Sequence, residues 1–127
     1  LDELLPQVDV LSLHCPLTPD TQGLLDAARL ARMRHDALLV NTARGALVDS
    51  AALAAALRAG RLGGAAIDVL PREPPTGGDP LLDTDIPNLI VTPHIAWAAR
   101  EARQRCLDEM AANVEDYLRG GHRGRVV

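Results

Sequence analysis

Four short runs of Val, Ile and Leu constrain this chain more than any other feature. They are residues 8–13 (VDVLSL), 37–40 (ALLV), 65–69 (AAIDV) and 88–91 (NLIV). None alternates cleanly between apolar and polar positions, which is the pattern of strands buried on both faces. Helical spacing separates the first three, in residues 26–33 (DAARLARM) and 50–59 (SAALAAALRA). Asp26 suits an N-cap of the first helix and Ser50 of the second. Leu53, Ala56 and Leu57 then share one face, and Gly60 stands where a helix-ending glycine belongs. Strand, helix, strand, helix, strand at this spacing predicts right-handed crossovers and a parallel sheet, hence an α/β fold.

The third and fourth runs are joined differently. Residues 70–87 (LPREPPTGGDPLLDTDIP) are rich in Pro, Gly and Asp and have no helical period. Connections this long without regular structure are often functional. An amphipathic helix is expected from about 98 to 119, with Ala99, Cys106, Leu107, Met110, Val114, Tyr117 and Leu118 on one stripe that reads as core packing. Gly120 and Gly121 end it, and the tail HRGRVV reads as peripheral or as a short edge segment. There is no internal repeat beyond the strand–helix period and no low-complexity tract.

Composition narrows the possibilities. A chain of 127 residues, 47% apolar and 24% charged, suits one globular domain with a modest core and is too apolar to be disordered. Its longest unbroken apolar stretch, residues 51–57, falls far short of the roughly 20 residues of a membrane span. No basic leader followed by an apolar segment opens the chain, so a soluble, cytoplasmic domain without membrane partners is expected. Net charge is −4, all 13 basic residues are Arg, and there are one Trp, one Tyr and no Phe. That offers neither a basic stripe nor a stacking platform for nucleic acid, and the scattered arginines read mostly as solvated helix faces. Cys15 and Cys106 form no CxxC or Cys/His cluster, so two buried thiols are expected and no metal site. The chain opens on Leu1 and runs almost at once into a strand, as a piece of a longer polypeptide would.

In an open parallel sheet the carboxyl ends of the strands line one edge, where ligands bind. The first run ends in His14-Cys15-Pro16, and the second in Asn41-Thr42-Ala43-Arg44-Gly45. Asp68 lies near the end of the third with Glu73 just beyond, and the fourth ends in Thr92-Pro93-His94. Arginine offers a planar fork that holds a carboxylate by two parallel hydrogen bonds. Histidine carries a proton near neutral pH, and a carboxylate on one ring nitrogen leaves the other to face a substrate. Arg44, Glu73 and His94 therefore suit a substrate with a carboxylate beside a carbonyl or hydroxyl, and a reaction that moves a proton at that oxygen.

These residues also carry a family resemblance. NTARGALVD (41–49), AAIDVLPREPP (65–75), TPHIAWAA (92–99) and the opening HCPLTPDT (14–21) resemble the D-isomer-specific 2-hydroxyacid dehydrogenases, over essentially the whole chain. The resemblance implies the second half of a Rossmann-type parallel-sheet nucleotide-binding domain (1–98), with a long C-terminal helix and tail (99–127) that would return to a substrate-binding lobe. It implies NAD or NADP as cofactor, NAD favoured, and a small 2-oxo or 2-hydroxy acid substrate of the hydroxypyruvate or glyoxylate type. By the same resemblance Arg44 binds the substrate carboxylate, His94 is the acid/base, and Glu73 pairs with His94 and keeps it protonated in the reductive direction. Asp68 would hold the nicotinamide carboxamide. The backbone of Thr42 and Ala43, and of His94 to Ala96, would line the nicotinamide pocket, with Cys15, Pro16 and Thr21 along the adenosine and pyrophosphate side. The family dimerises, so a homodimer is expected of a full-length protein.

The departures matter as much. The family's GxGxxG turn and the residue that selects the ribose 2′ group are both absent from the 127 residues, so this chain alone should bind dinucleotide poorly and be inactive. A half-sheet by itself would leave an unpaired edge and an apolar face, and should self-associate. Plainer readings stand beside the sharp ones. Arg44 could close a strand-end ion pair, His94 could be a buried histidine satisfied by backbone, Glu73 could be solvated, and Asp68 could cap a turn. His14 reads as closing a strand by a hydrogen bond, Cys15 as an apolar wall, and His35 and His122 as exposed. Asp79, Asp83 and Asp85 lack cation-loop spacing and read as a solvated turn. Trp97 could plug an interface or wall the substrate pocket.

His94 to Arg105 (HIAWAAREARQR) looks most like the glycerate dehydrogenase or hydroxypyruvate reductase branch. Formate dehydrogenases of the same fold place Gln where Glu73 stands. A nucleotide-sensing protein of the C-terminal-binding-protein corepressor type, or an inactive fragment, is the alternative.

Overall fold

The computed structural model describes residues 1–126 and resolves into two compact units, Leu1–His94 and a second that begins at Ile95. The first unit carries a four-stranded sheet of β1 (Val10–Leu13), β2 (Leu38–Asn41), β3 (Gly64–Ile67) and β4 (Leu89–Val91). Every pairing is parallel and the spatial order is β1-β2-β3-β4. Two helices, α1 (Ala27–Leu30) and α2 (Ser50–Arg58), make the crossovers.

That order explains how the core is built. When each right-handed crossover steps to the next strand in the same direction, all crossovers fall on one side of the sheet. Leu30 of α1 and Leu53, Ala54 and Leu57 of α2 join Leu11, Leu13, Leu39, Ala65 and Ile67 in one buried cluster. The other face lacks such cover: Val10, Leu38 and Ile90 are exposed. The expectation of strands buried on both faces is thus met on one face only among the described residues, because the topology supplies helices to one side.

Local chemistry sets the helix ends. Asp26 caps α1 by accepting from the Arg29 N–H at 2.8 Å, as the sequence predicts. The helix is shorter than expected because its last turn tightens: Arg32 N–H bonds the Arg29 carbonyl and Met33 N–H the Leu30 carbonyl. The cap of α2 is Asp49, not Ser50; its Oδ1 accepts from the N–H groups of Ala51 and Ala52, both at 3.0 Å. A carboxylate one residue upstream reaches two orphan donors, which leaves the Ser50 hydroxyl free to donate to Asp79 at 3.1 Å. Gly60 (φ +63°) ends α2, with its N–H on the Leu57 carbonyl and the Arg61 N–H on that of Ala56.

The connection between β3 and β4 is more ordered than its composition suggests. A 3-10 turn at Pro80–Leu82 packs on α2 and buries Leu81 in the core. Asp79 caps that turn at the Leu81 N–H, and Arg58 of α2 grips Asp83 (2.8 Å) and Asp85 (2.7 Å) beyond it. These three acids therefore tether the turn to α2, through Ser50 for Asp79 and Arg58 for Asp83 and Asp85, while Asp83 and Asp85 stay exposed. Arg58 is likewise paired, as are Arg29, Arg34 and Arg123, each with a side chain that stays partly exposed to solvent.

In the second unit, α3 (Arg100–Leu118) ends at Gly120 (φ +82°), whose N–H bonds the Tyr117 carbonyl. The following residues fold back, with Arg123 N–H on the Asp116 carboxylate and its guanidinium on Glu109 at 2.8 Å. They form no strand among the described residues. No residue of α3 is buried: Leu107, Met110, Val114, Tyr117 and Leu118 are exposed, so their stripe is not core packing here. Cys106, on the same stripe, is exposed and Cys15 is half-buried, which corrects the expectation of two buried thiols. Among the described residues no helix is long and apolar enough to cross a membrane, and no cluster of metal-ligating side chains occurs.

Candidate active site

The carboxyl ends of β1 to β4 deliver their polar residues to one edge, and the loops there are tied together by specific bonds. Glu73, three residues past Leu70, uses both carboxylate oxygens. Oε1 accepts the Leu70 N–H at 2.8 Å and Oε2 meets His94 Nδ1 at 2.6 Å. The His94 contact, reinforced by the Leu70 N–H, lowers the Glu73 pKa below its ordinary value. An ionised carboxylate only accepts, so His94 Nδ1 carries the hydrogen of that bond, and Nε2 is the ring nitrogen not engaged by Glu73. The sequence-predicted pair is thus formed, half-exposed rather than buried, at 44% for the His94 side chain and 35% for Glu73.

His94 is held by its backbone as well. Its N–H bonds the Asp68 carbonyl at 2.9 Å and the Thr92 carbonyl at 3.0 Å, and its φ is +54°. Non-glycine residues rarely adopt that left-handed conformation, and those that do concentrate at functional sites. Asp68 is 3% exposed and accepts a hydrogen bond from the Thr92 hydroxyl. The Thr92 partnership was not foreseen from sequence, although TPH places that hydroxyl two residues before His94.

Arg44 ends the turn after β2. Its side chain is exposed and donates from Nη1 to the Ala43 carbonyl at 2.7 Å, and the ion-pair alternative finds no carboxylate partner for it among the described residues. Arg44 lines a cavity of about 440 Å³ with His14, Cys15, Pro16, Leu17 and Ala43. Glu73 and His94 line a second cavity of about 450 Å³, walled by Pro75, Leu82 and Val91. The seam between the two groups is Gly45. A Cβ there would overlap the Leu70 carbonyl and Pro71 nitrogen, so only glycine lets the Arg44 turn rest on the backbone that holds Glu73.

The other predicted contacts are placed as follows. Thr42 is exposed and Ala43 half-buried. Thr21 closes its own loop, its hydroxyl donating to the Pro16 carbonyl at 2.8 Å and accepting the Thr18 N–H at 2.7 Å. His14 bonds Ser12 at 2.8 Å, as a strand-closing histidine should, and His35 and His122 are exposed. Ala96 and the exposed Trp97 belong to the second unit.

Residues 1–96 match the family model described as D-isomer specific 2-hydroxyacid dehydrogenase, NAD binding domain. The chain is 52% identical over 120 residues to a glycerate dehydrogenase of Methylorubrum extorquens, covering 94% of this chain and 38% of that protein. It is 42% identical over 120 residues to a hydroxypyruvate reductase of Blautia hydrogenotrophica, covering 94% of this chain and 37% of that one. Among solved structures, D-lactate dehydrogenase with NAD+ from Lactobacillus jensenii superposes with a TM-score of 0.82 at 32% identity, over 99% of this chain and 41% of that chain. The chain therefore spans well under half the length of these relatives. With the strand-end Arg, Glu and His set in place and the match running through His94, the chain belongs to the D-isomer-specific 2-hydroxyacid dehydrogenase family, in the region of its NAD-binding domain.

Proposed function

We propose that these residues serve an NAD(P)-dependent reduction of small 2-oxo acids to D-2-hydroxy acids, with hydroxypyruvate or glyoxylate as the substrate type and NAD favoured over NADP. The observation that carries the reading is the Glu73–His94 contact at 2.6 Å, on the same strand-end edge as Arg44, which has no carboxylate partner among the described residues. The hollow that Arg44 lines with Cys15, Pro16 and Ala43 suits part of a dinucleotide, with Ala43 toward the nicotinamide. Asp68 and the backbone of Thr42, Ala43 and His94 to Ala96 would hold the nicotinamide, with Cys15, Pro16 and Thr21 toward the adenosine and pyrophosphate. When bound, the reduced nicotinamide supplies a hydride to the carbonyl carbon.

Arg44 binds the substrate carboxylate through its fork and draws charge toward the neighbouring carbonyl. His94 Nε2 gives its proton to the 2-oxo oxygen, and in the reverse direction takes it back from the hydroxyl. Glu73, kept ionised, steadies the imidazolium from the Nδ1 side and fixes the ring plane. Residues 1–98 act as the C-terminal half of the nucleotide domain and 99–127 as the helix leading to a substrate lobe, in a cytoplasmic homodimer. The glycerate dehydrogenase and hydroxypyruvate reductase likenesses favour this enzyme over a nucleotide-sensing protein.

The test is hydroxypyruvate-dependent NADH oxidation by the full gene product. Arg44→Ala and His94→Ala should each lower turnover by about 10²- to 10⁴-fold. Absence of turnover with hydroxypyruvate, glyoxylate and pyruvate, despite NADH binding, would overturn the enzyme reading in favour of nucleotide sensing.

A further inference from the structure

Asn41 and Asp68 are the two buried polar side chains among the described residues, Asn41 at 1% exposure. An amide so deeply placed costs stability unless its polar atoms are partnered. Those of Asn41 are turned entirely on the strand-end edge. Its Oδ1 accepts the Ala43 N–H at 3.0 Å and its Nδ2 donates to the Arg44 carbonyl at 2.9 Å. Its own carbonyl accepts the Asp68 N–H at 2.9 Å. One residue thus folds the 41–44 turn onto itself and ties it to the end of β3. Gly45 then seats that turn on the Leu70–Pro71 backbone, and the Leu70 N–H holds Glu73.

We infer that Asn41 is a positioning residue: by clamping the Arg44 backbone it fixes the root of the guanidinium relative to the Glu73–His94 pair. It acts through Arg44 and touches no reacting atom. The inference rests on the reading above, in which Arg44 takes the substrate carboxylate.

The experiment uses the full gene product with Asn41→Asp and Asn41→Ser, each also built on Arg44→Ala. Aspartate keeps the acceptor for Ala43 N–H but turns a carboxylate oxygen toward the Arg44 carbonyl. Serine is too short to make both bonds. Misplacing the guanidinium root should raise the KM for hydroxypyruvate about 10- to 100-fold and weaken inhibition by oxamate equally. The KM for NADH should rise by less, through the Ala43 N–H that Asn41 also holds, and the pH profile of kcat, which belongs to the Glu73–His94 pair, should stay as in the parent. On the Arg44→Ala background the Asn41 variants should add nothing, because residues acting through one group are not additive. A hydroxypyruvate KM unchanged in a folded variant overturns the inference. So does a parallel rise in both KM values, or failure of both variants to fold, either of which makes Asn41 purely structural. A parent without turnover fails the proposed function itself, and the inference with it; an active parent with unresponsive variants fails the inference alone.

Discussion

Leu38 and Leu39 are neighbours in β2, yet Leu39 is fully buried while Leu38 is 45% exposed. The same contrast runs across the sheet. Leu11, Leu13, Leu39 and Ile67 face the helices, and Val10, Leu38 and Ile90 face away. Residue type does not separate the two faces; connectivity does. Three successive steps in one direction put α1, α2 and the 3-10 turn at Pro80–Leu82 on one side and leave Val10, Leu38 and Ile90 exposed on the other. Apolar character alone does not tell which face the helices cover; topology does.

The largest effect should come from the covered face. Leu39→Ala removes a fully buried side chain and should cost about 2–5 kcal/mol, whereas Leu38→Ala should stay within about 0.5 kcal/mol, both read from chemical denaturation. Equal losses in the full gene product would break the comparison and reveal a covering layer over Leu38. Next is the margin of the covered face. Gly45→Ala drives a methyl group into the Leu70–Pro71 backbone and should cost about 1–3 kcal/mol, together with a loosened Glu73 contact.

A charge probes the open face. Leu38→Glu should leave the Tm nearly unchanged and shift sedimentation toward smaller species, because an exposed apolar patch drives association. No change in sedimentation would detach self-association from this face. Smaller still is the pH response of the strand-end edge. The folded pKa of Glu73 lies below its ordinary value, so its contribution is complete above about pH 4.3 and is lost as the pH falls through the folded value. Glu73→Gln should remove that acid-side decline from the denaturation midpoint. The smallest effect is Arg58→Ala. It frees Asp83 and Asp85, and because the pairs are exposed the drop in Tm should be slight and should vanish in high salt.

How much of this was legible in the sequence varies with the range of the interaction involved. The strands, the Asp26 cap and the Gly60 stop are local, and their signals lie within a few residues. The strand-end set of Arg44, Asp68, Glu73 and His94 was legible because a parallel sheet sends every strand end to one edge. Of its bonding, only the Glu73–His94 pair was. Arg58 reaches acids 25 and 27 residues away, and Thr92 reaches across 24 residues to Asp68, distances over which composition carries no pairing signal. Asn41 stood in view within NTARG, and its amide bonds span only two and three residues. The signal is an Asx-type turn at a strand end, which in sequence looks the same as ordinary loop polarity. The stripe on α3 has the period of a packed helix, but period alone does not supply a partner.

The two-handed grip of Glu73 gives its replacement by glutamine a particular outcome. The amide oxygen would take over the Leu70 N–H, since only an acceptor fits there. The amide NH2 would then face His94 Nδ1, which must become an acceptor. A neutral ring would thereby change tautomer, its hydrogen now fixed on Nε2. The substitution does more than delete a charge: it reverses the direction of the hydrogen bond behind the imidazole. With Gln at 73 the outward nitrogen would be a standing donor, able to bind an oxygen and poorly suited to take a proton from one.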